Sequence, residues 1–303
     1  MKFNGKILLF GEYSVLHKSD ALLIPLPKFY GEFDYFKDSK DTTQSMLESN
    51  RIIKDLLYHF EKQQANSDLL KSFNIEQLKN EIDNGLYFKS TIPAGYGVGS
   101  SGALTAAIYY QFFEKKDENL QATNRISLKE TLAYLESYFH GKSSGLDPLV
   151  SLLNKGIFVQ GDDFRTEEVN GSMLQPFLID TRKSRLTADY VNIFNDKSND
   201  PVFLKMIETE YIFANNHCIS SLRRGNVSNF FSSLKELSAL QFTHFQEMIL
   251  PEFMSIWRMG LESDEFYLKL CGAGGGGFIL GFAQDMKRLR SAVKNYRLEL
   301  IAI

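Results

Sequence analysis

Between Thr91 and Leu104 the chain reads Thr-Ile-Pro-Ala-Gly-Tyr-Gly-Val-Gly-Ser-Ser-Gly-Ala-Leu. Gly95, Gly97 and Gly99 alternate, and Ser100, Ser101 and Gly102 follow. A loop this poor in side chains lets a bulky anion approach the backbone. A helix starting behind it aims unpaired N–H groups and the positive end of its dipole at that anion. Phosphate chemistry suits this spacing; the other reading is a glycine-rich turn feeding a buried helix. A second run, Gly272-Ala273-Gly274-Gly275-Gly276-Gly277, lies near the far end of the chain. A tight turn between strands needs one or two glycines rather than five. Glu136 and His140 are four apart and share a helix face, with Glu136 at the border of an apolar stripe. A carboxylate there needs a compensating partner. The loop from His140 to Pro148 is small and polar, and Asp147 stands at its end.

Several phosphate-binding classes can be set aside. No Lys follows either glycine run, so the P-loop pattern is absent. Neither an H-R-D loop nor a D-F-G segment occurs, which excludes a protein kinase. Gly97-x-Gly99-x-x-Gly102 matches the dinucleotide fingerprint, but that fingerprint wants an acidic residue about 20 positions on, after a second strand. Glu114, Asp117 and Glu118 fall instead at the expected end of a helix.

The elements that must position these residues can be read in part. Lys6–Phe10 reads as a buried strand, and Gly11–Leu16 as a turn into a second one. Asp34–Thr43 is polar and reads as a loop. Met46–Phe60 has helical apolar spacing, Phe73–Ile82 a weaker version of it, and Leu86–Phe88 reads as a strand entering the glycine loop. Ser101–Phe113 is apolar nearly all round and is expected to be a buried helix. Ser127, with Glu130 three residues on, reads as a capping box that starts the helix bearing Glu136. Further strands are expected at 156–159, 176–179, 266–270, 278–282 and 298–303. Further helices are expected at 203–215, 227–248, 251–259 and 286–296.

The totals bound the class. At 303 residues, two domains are expected. The net charge of −3 gives no reason to expect a nucleic-acid or anionic-membrane partner. No apolar run reaches the roughly 18 residues a membrane helix needs. The two cysteines, Cys218 and Cys271, are too few for a disulfide framework and fit a reducing compartment. A cytoplasmic enzyme is the expectation.

Three segments, in order, resemble the signature motifs of the GHMP small-molecule kinases. They are Lys6-Ile7-Leu8-Leu9-Phe10-Gly11-Glu12, then Pro93 to Ser101, then Lys269 to Gly277. Glu136-x-x-x-His140-Gly141-x-x-Ser144-Gly145-x-Asp147 is most similar to the mevalonate kinase branch, as is the segment Thr181–Thr187 with its Arg185-x-Thr187 ending. Tyr13 stands where that branch often has His, and Gly102 where Ala is usual. The resemblance implies an α+β, two-domain fold, with an α/β domain like that of ribosomal protein S5 over 1–175 and a ferredoxin-like α+β domain over 176–303. It implies transfer of a phosphoryl group from ATP to the hydroxyl of a small hydroxy acid, most simply mevalonate to 5-phosphomevalonate. Phosphomevalonate, homoserine or a sugar as acceptor, or a silent ligand-binding relative, are the alternatives.

The same resemblance assigns roles. Pro93, Gly95, Gly97, Gly99, Ser100, Ser101 and Gly102 would cradle the ATP phosphates, with Gly274 and Gly275 in the opposing wall. Ser101 (or Ser100) and Glu136 would bind magnesium, Mg2+, a hard cation that takes oxygen ligands. Asp147 would face the acceptor hydroxyl as general base or as the charge that positions it. Lys6 would sit beside Asp147 and the transferring group. Glu12, Tyr13, Ser144, Arg185, Thr187, Gly272 and Ala273 would line the acceptor side, and His140 would orient the Glu136 helix. The expected partners are the small-molecule substrate and, as an open option, a second copy of the chain in a homodimer.

Overall fold

The structure is a computed structural model of the chain, and it describes residues 1–36, 42–64, 67–114, 122–169, 174–296 and 298–303. Part of the expected polar loop (37–41), and Asp117 and Glu118, lie outside the described residues. Among the described residues the strands form two sheets, ordered β1-β2-β4-β5 with β3 on β2, and β7-β8-β6-β9. These strands are β1 (Phe3–Phe10), β2 (Ala21–Tyr35), β3 (Leu86–Ser90), β4 (Gly156–Gln160), β5 (Asp163–Glu167), β6 (Pro176–Asp180), β7 (Phe266–Leu270), β8 (Phe278–Ala283) and β9 (Leu300–Ala302). Contacts divide the chain into two units: 1–6 with 25–93 and 99–155, and 7–24 with 94–98 and 156–303. No helix among the described residues is long and apolar enough to cross a membrane.

In the first unit β2 pairs antiparallel with β3 from Gly31↔Ser90 to Tyr35↔Leu86. Helices α1 (Gln44–Gln63) and α2 (Ile75–Asp83) bury Ile53, Leu56, Phe60, Leu78 and Ile82. Helix α3 (Ser100–Phe112) is buried along most of its length, as its composition requires. Its small residues Gly102, Ala103, Ala106 and Ala107 let α4 (Ala122–His140) and α5 (Leu146–Leu153) come close. The α4 start corrects the capping-box reading. The helix begins at Ala122, and Ser127 is an interior residue whose carbonyl accepts a bond from the Thr131 hydroxyl at 3.0 Å. No Gly or Pro interrupts the stretch upstream of Ser127, so a cap-like pair of residues does not end the helix there.

In the second unit the turn expected over Gly11–Leu16 is a 3₁₀ turn, Ser14–His17, and the strand it leads into, β2, begins at Ala21. Local bonds explain it. Ser14 N–H donates to Glu12 O at 2.6 Å and Val15 N–H to Gly11 O at 3.1 Å, so neither is available for a ladder. The start of β2 then pairs with β4 from Ala21 to Leu23. Pro25 and Pro27 follow, ahead of the β3 register, and prolines inside a strand are tolerated only where the missing N–H is not called on. Strands β7 and β8 are buried throughout. Helix α6 (Thr187–Lys197) arises in a segment whose polarity gave no helical signal. The expected helix 203–215 is a longer run: α7 (Pro201–Met206), a π turn at Ile207–Tyr211, and α8 (Ile212–Arg223). Helices α9 (Val227–His244), α10 (Met254–Ser263) and α11 (Met286–Ala292) complete the unit.

Candidate functional site

The first unit gathers Lys6, Ser101, Glu136, His140, Ser143 and Asp147. Helix α3 opens at Ser100 behind Gly99, which is left-handed (φ 82°), and no side chain among the described residues caps it. The N–H groups of its first turn therefore point out of the helix end, where an anion is favoured. A Cβ on Gly99 would lie 2.8 Å from Lys6 Cγ, so the glycine makes room for the lysine stem. Lys6 Nζ reaches Asp147 Oδ2 at 2.9 Å, and Lys6 is only 7% exposed. Asp147 sits in the first turn of α5, after the left-handed Gly145. Gly145 lies so close to α4 that a Cβ would meet Lys129 O at 2.2 Å. A Cβ on Gly102 would be 3.0 Å from the Asp147 backbone and from Pro148 N, so this residue, expected at the phosphate cradle, governs how closely α3 approaches Asp147.

Glu136 is buried on α4 and is held by two hydroxyls. Ser101 Oγ donates to its Oε1 at 3.1 Å and Ser143 Oγ to its Oε2 at 2.5 Å. Burial, then the nearby charge of Asp147, pushes the Glu136 carboxyl up to about 7, against the pull of Ser143, Ser101 and Lys6. His140 Nε2 lies 2.9 Å from Ser101 Oγ, so the histidine touches the serine rather than only steadying its helix. Ser143 escaped the sequence reading, which chose its neighbour; Ser144 is exposed and accepts the Leu146 N–H at 3.3 Å. Chemically, this unit offers a cation, a carboxylate at hydrogen-bond distance from it, an open helix end and a buried carboxyl beside a hydroxyl.

The second unit gathers Glu12, Tyr13, Arg185, Lys269 and the second glycine run. Glu12 Oε1 and Lys269 Nζ pair at 2.5 Å, both sealed from solvent. Burial pushes the Glu12 carboxyl up, while Lys269 and the N–H groups of Glu12 and Gly272 pull it down. Tyr13 holds a strained left-handed backbone (φ 62°), its hydroxyl donates to Ala273 O at 2.6 Å, and its ring stacks on Phe194. Arg185 is buried, with Nη2 donating to Cys271 O at 3.1 Å. Its Nε and Nη1 have no hydrogen-bond partner among the described residues. A Cβ on Gly97 or Gly272 would come within 2.4 or 2.8 Å of Nη2, so both glycines leave the guanidinium its place. The remaining expected residues are less engaged. Thr187 is exposed at the start of α6. Gly275 spends its N–H on Met248 O at 2.6 Å and lies under the Tyr190 ring, and Gly274 packs on Met248. Gly95 O accepts the Arg185 N–H at 3.2 Å, and Pro93 is half-buried. Lys269 stood in a recognised motif without a role, while Tyr190, Tyr211 and Gln241 carried no sequence signal at all.

Residues 53–155, which include Ser101, Glu136 and Asp147, match the family model for the GHMP kinases N terminal domain. The GHMP kinase fold extends over the whole chain. The chain is similar to L. major mevalonate kinase in complex with R-mevalonate (16% identity, TM-score 0.61, covering 99% of this chain and 94% of that one). It is similar to Streptococcus pneumoniae phosphomevalonate kinase in complex with phosphomevalonate and AMPPNP (15%, TM-score 0.62, 100% and 99%). It is also similar to Lactococcus lactis galactokinase complexed with galactose (15%, TM-score 0.62, 99% and 92%). No curated protein sequence matches the chain.

Proposed function

We propose that this GHMP-fold chain is an ATP-dependent kinase that phosphorylates the hydroxyl of a small hydroxy acid, with mevalonate the best-fitting acceptor. The observation that carries the reading is the Lys6–Asp147 pair, 2.9 Å apart, in the same unit as the open N-terminus of α3. When bound, ATP supplies the phosphoryl group and Mg2+ neutralises phosphate charge. The residues present fit both groups. Gly99 and the first turn of α3 offer backbone N–H groups to phosphate. Ser101 Oγ and Glu136 Oε1, 3.1 Å apart, are hard oxygen donors suited to magnesium. Among the described residues no cluster of three or more His, Cys, Asp or Glu side chains gathers, so these two would share the cation with phosphate and water. Asp147 faces the acceptor hydroxyl and takes its proton or orients it. Lys6 stabilises the charge that develops on the group in transfer.

The acceptor is read from the cations. Of Lys142, Arg182, Lys183 and Arg185, the first three are exposed and Lys183 is paired with Glu252 at 2.7 Å. Of the four, Arg185 alone is buried with donors that have no partner among the described residues, which suits one carboxylate rather than a carboxylate and a phosphate. This favours mevalonate over the phosphomevalonate held by the S. pneumoniae neighbour, and over the galactose held by the L. lactis neighbour. Two free, buried cysteines agree with work in a reducing cytoplasm. ADP release measured over mevalonate, phosphomevalonate, homoserine and hexoses tests the reading. Turnover with mevalonate above the others is expected. Turnover only with another acceptor would overturn the substrate, and none with any acceptor would overturn the kinase.

A further inference from the structure

Five side chains in the second unit form one buried network that the proposed transfer does not use. Lys269 Nζ donates to Glu12 Oε1 at 2.5 Å and to Leu270 O at 2.7 Å. Tyr211 OH donates to Glu12 O at 3.2 Å. Gln241 joins the two sides: its Nε2 donates to Tyr211 OH at 2.7 Å, and its Oε1 accepts the Leu270 N–H at 2.8 Å. Tyr211 and Gln241 are 1% and 0% exposed, so water does not compete for these bonds. From this base one bond reaches the second glycine run: Tyr13, the residue after Glu12, donates its OH to Ala273 O at 2.6 Å.

The backbone reports the same constraint. Tyr13 holds φ 62°, a conformation that is strained for a non-glycine residue and persists only where the surroundings over-determine it. Tyr211 is the last residue of the π turn at Ile207–Tyr211. A π turn adds one residue to a helical circuit and re-aims the side chains beyond it, and such turns recur at functional sites. Here the residue delivered is the one whose hydroxyl meets Glu12 O.

We infer that Tyr211 and Gln241 are positioning residues, which act through Glu12 and Tyr13 to hold the Gly272–Ala273 backbone beside Arg185. Tyr13 is then a latch on the glycine run, and Glu12, sealed with Lys269, is its buried anchor rather than a group that meets the acceptor. Gly272 and Cys271 are the backbone neighbours of the Arg185 guanidinium, so a shift of this segment moves the cradle of the acceptor's anion. The kinetic part of this inference rests on the proposed kinase reading; the structural part does not.

The test uses the full chain with Tyr211→Phe, Tyr13→Phe and the double variant. Hydrogen exchange of the ligand-free protein comes first. Tyr211→Phe should speed exchange of the amides around Gly272 about tenfold, the effect of one lost buried hydrogen bond, with the β6 amides of Phe177–Asp180 unchanged. Equal acceleration in β6 would mean general destabilisation and would overturn the latch, as would no change at Gly272. With an acceptor that is turned over, Tyr211→Phe should raise the acceptor KM and leave the KM for ATP within about twofold. The double variant should be no worse than the worse single one, because both act on one segment. Multiplying effects, or a KM change for ATP alone, would overturn the inference. If no acceptor releases ADP, the kinase reading falls, and the exchange experiment still decides the latch.

Discussion

Glu136 is buried, faces the charge of Asp147, and has its carboxyl pushed up to about 7 from an ordinary 4.5. Between those two pH values the folded chain binds more protons at this site than the unfolded chain. Stability therefore falls as pH rises from 4.5 to 7, by about 3 kcal/mol in total. Glu136→Gln is neutral at every pH. It should unfold at higher denaturant than the parent above pH 7 and at the same denaturant below pH 4.5. Matching midpoints at pH 8 would show that the carboxyl ionises without penalty. Lys6→Met and Asp147→Asn should each lower turnover at least about a hundredfold while circular dichroism stays native; near-normal turnover would remove that residue from the mechanism. Lys269→Met leaves the Glu12 charge sealed without its partner, and should cost about 3–5 kcal/mol in denaturant unfolding. A loss under 1 kcal/mol would mean that water reaches Glu12. The charged trio Lys6, Glu136 and Asp147 was legible through the motifs that hold it; taken alone, Lys6 at a strand edge reads as a solvated charge and Glu136 as half of a surface ion pair. Ser143 was not, because two adjacent serines differ only in which way the loop turns after His140.

At the level of elements, the strongest periodic signals survive. Helices α1, α3 and α9 stand close to where apolar spacing puts them, and β7 and β8 flank the second glycine run as expected. What the sequence left unread shares a cause: long-range partners decided the local structure. The 3₁₀ turn at Ser14–His17 follows a Tyr13 fixed by Ala273, 260 residues away. Strand β2 contains Pro25 and Pro27, which argue against a strand when read locally. Helix α6 has weak amphipathic spacing, and its Tyr190 reaches the Gly275 carbonyl at 3.3 Å. Gly102 gives an element-scale test. An Ala there gains helix propensity but sets a methyl 3.0 Å from the Asp147 backbone, which must give by a few tenths of an ångström. Gly102→Ala should leave thermal stability equal or higher and lower turnover roughly three- to tenfold. Unchanged turnover would show that α5 tolerates the shift.

Over the whole molecule, neither contact unit is a continuous stretch: the chain passes from one to the other after residues 6, 24, 93, 98 and 155. A fragment ending at residue 155 keeps every residue of the first unit, but carries 7–24 and 94–98 without the rest of theirs. Ile7, Leu9, Phe10 and Glu12, all buried in the full chain, would lose their second-unit partners. Such a fragment should bind a dye for exposed apolar surface far more strongly than the full chain; equal binding would show the first unit to be self-sufficient.

The Glu12–Lys269 pair has a further consequence, in time. Its members are 257 residues apart in sequence. At about 5–20 residues per second, a ribosome takes on the order of 10–50 s to make the stretch between them. Throughout that interval the nascent chain holds a carboxylate destined for complete burial with no counter-charge yet made. The apolar strand before Glu12 cannot settle around it, and it stays a target for chaperones until β7 emerges. Early residues of this protein wait for late ones, and its yield in a cell depends on what shields its first strand meanwhile.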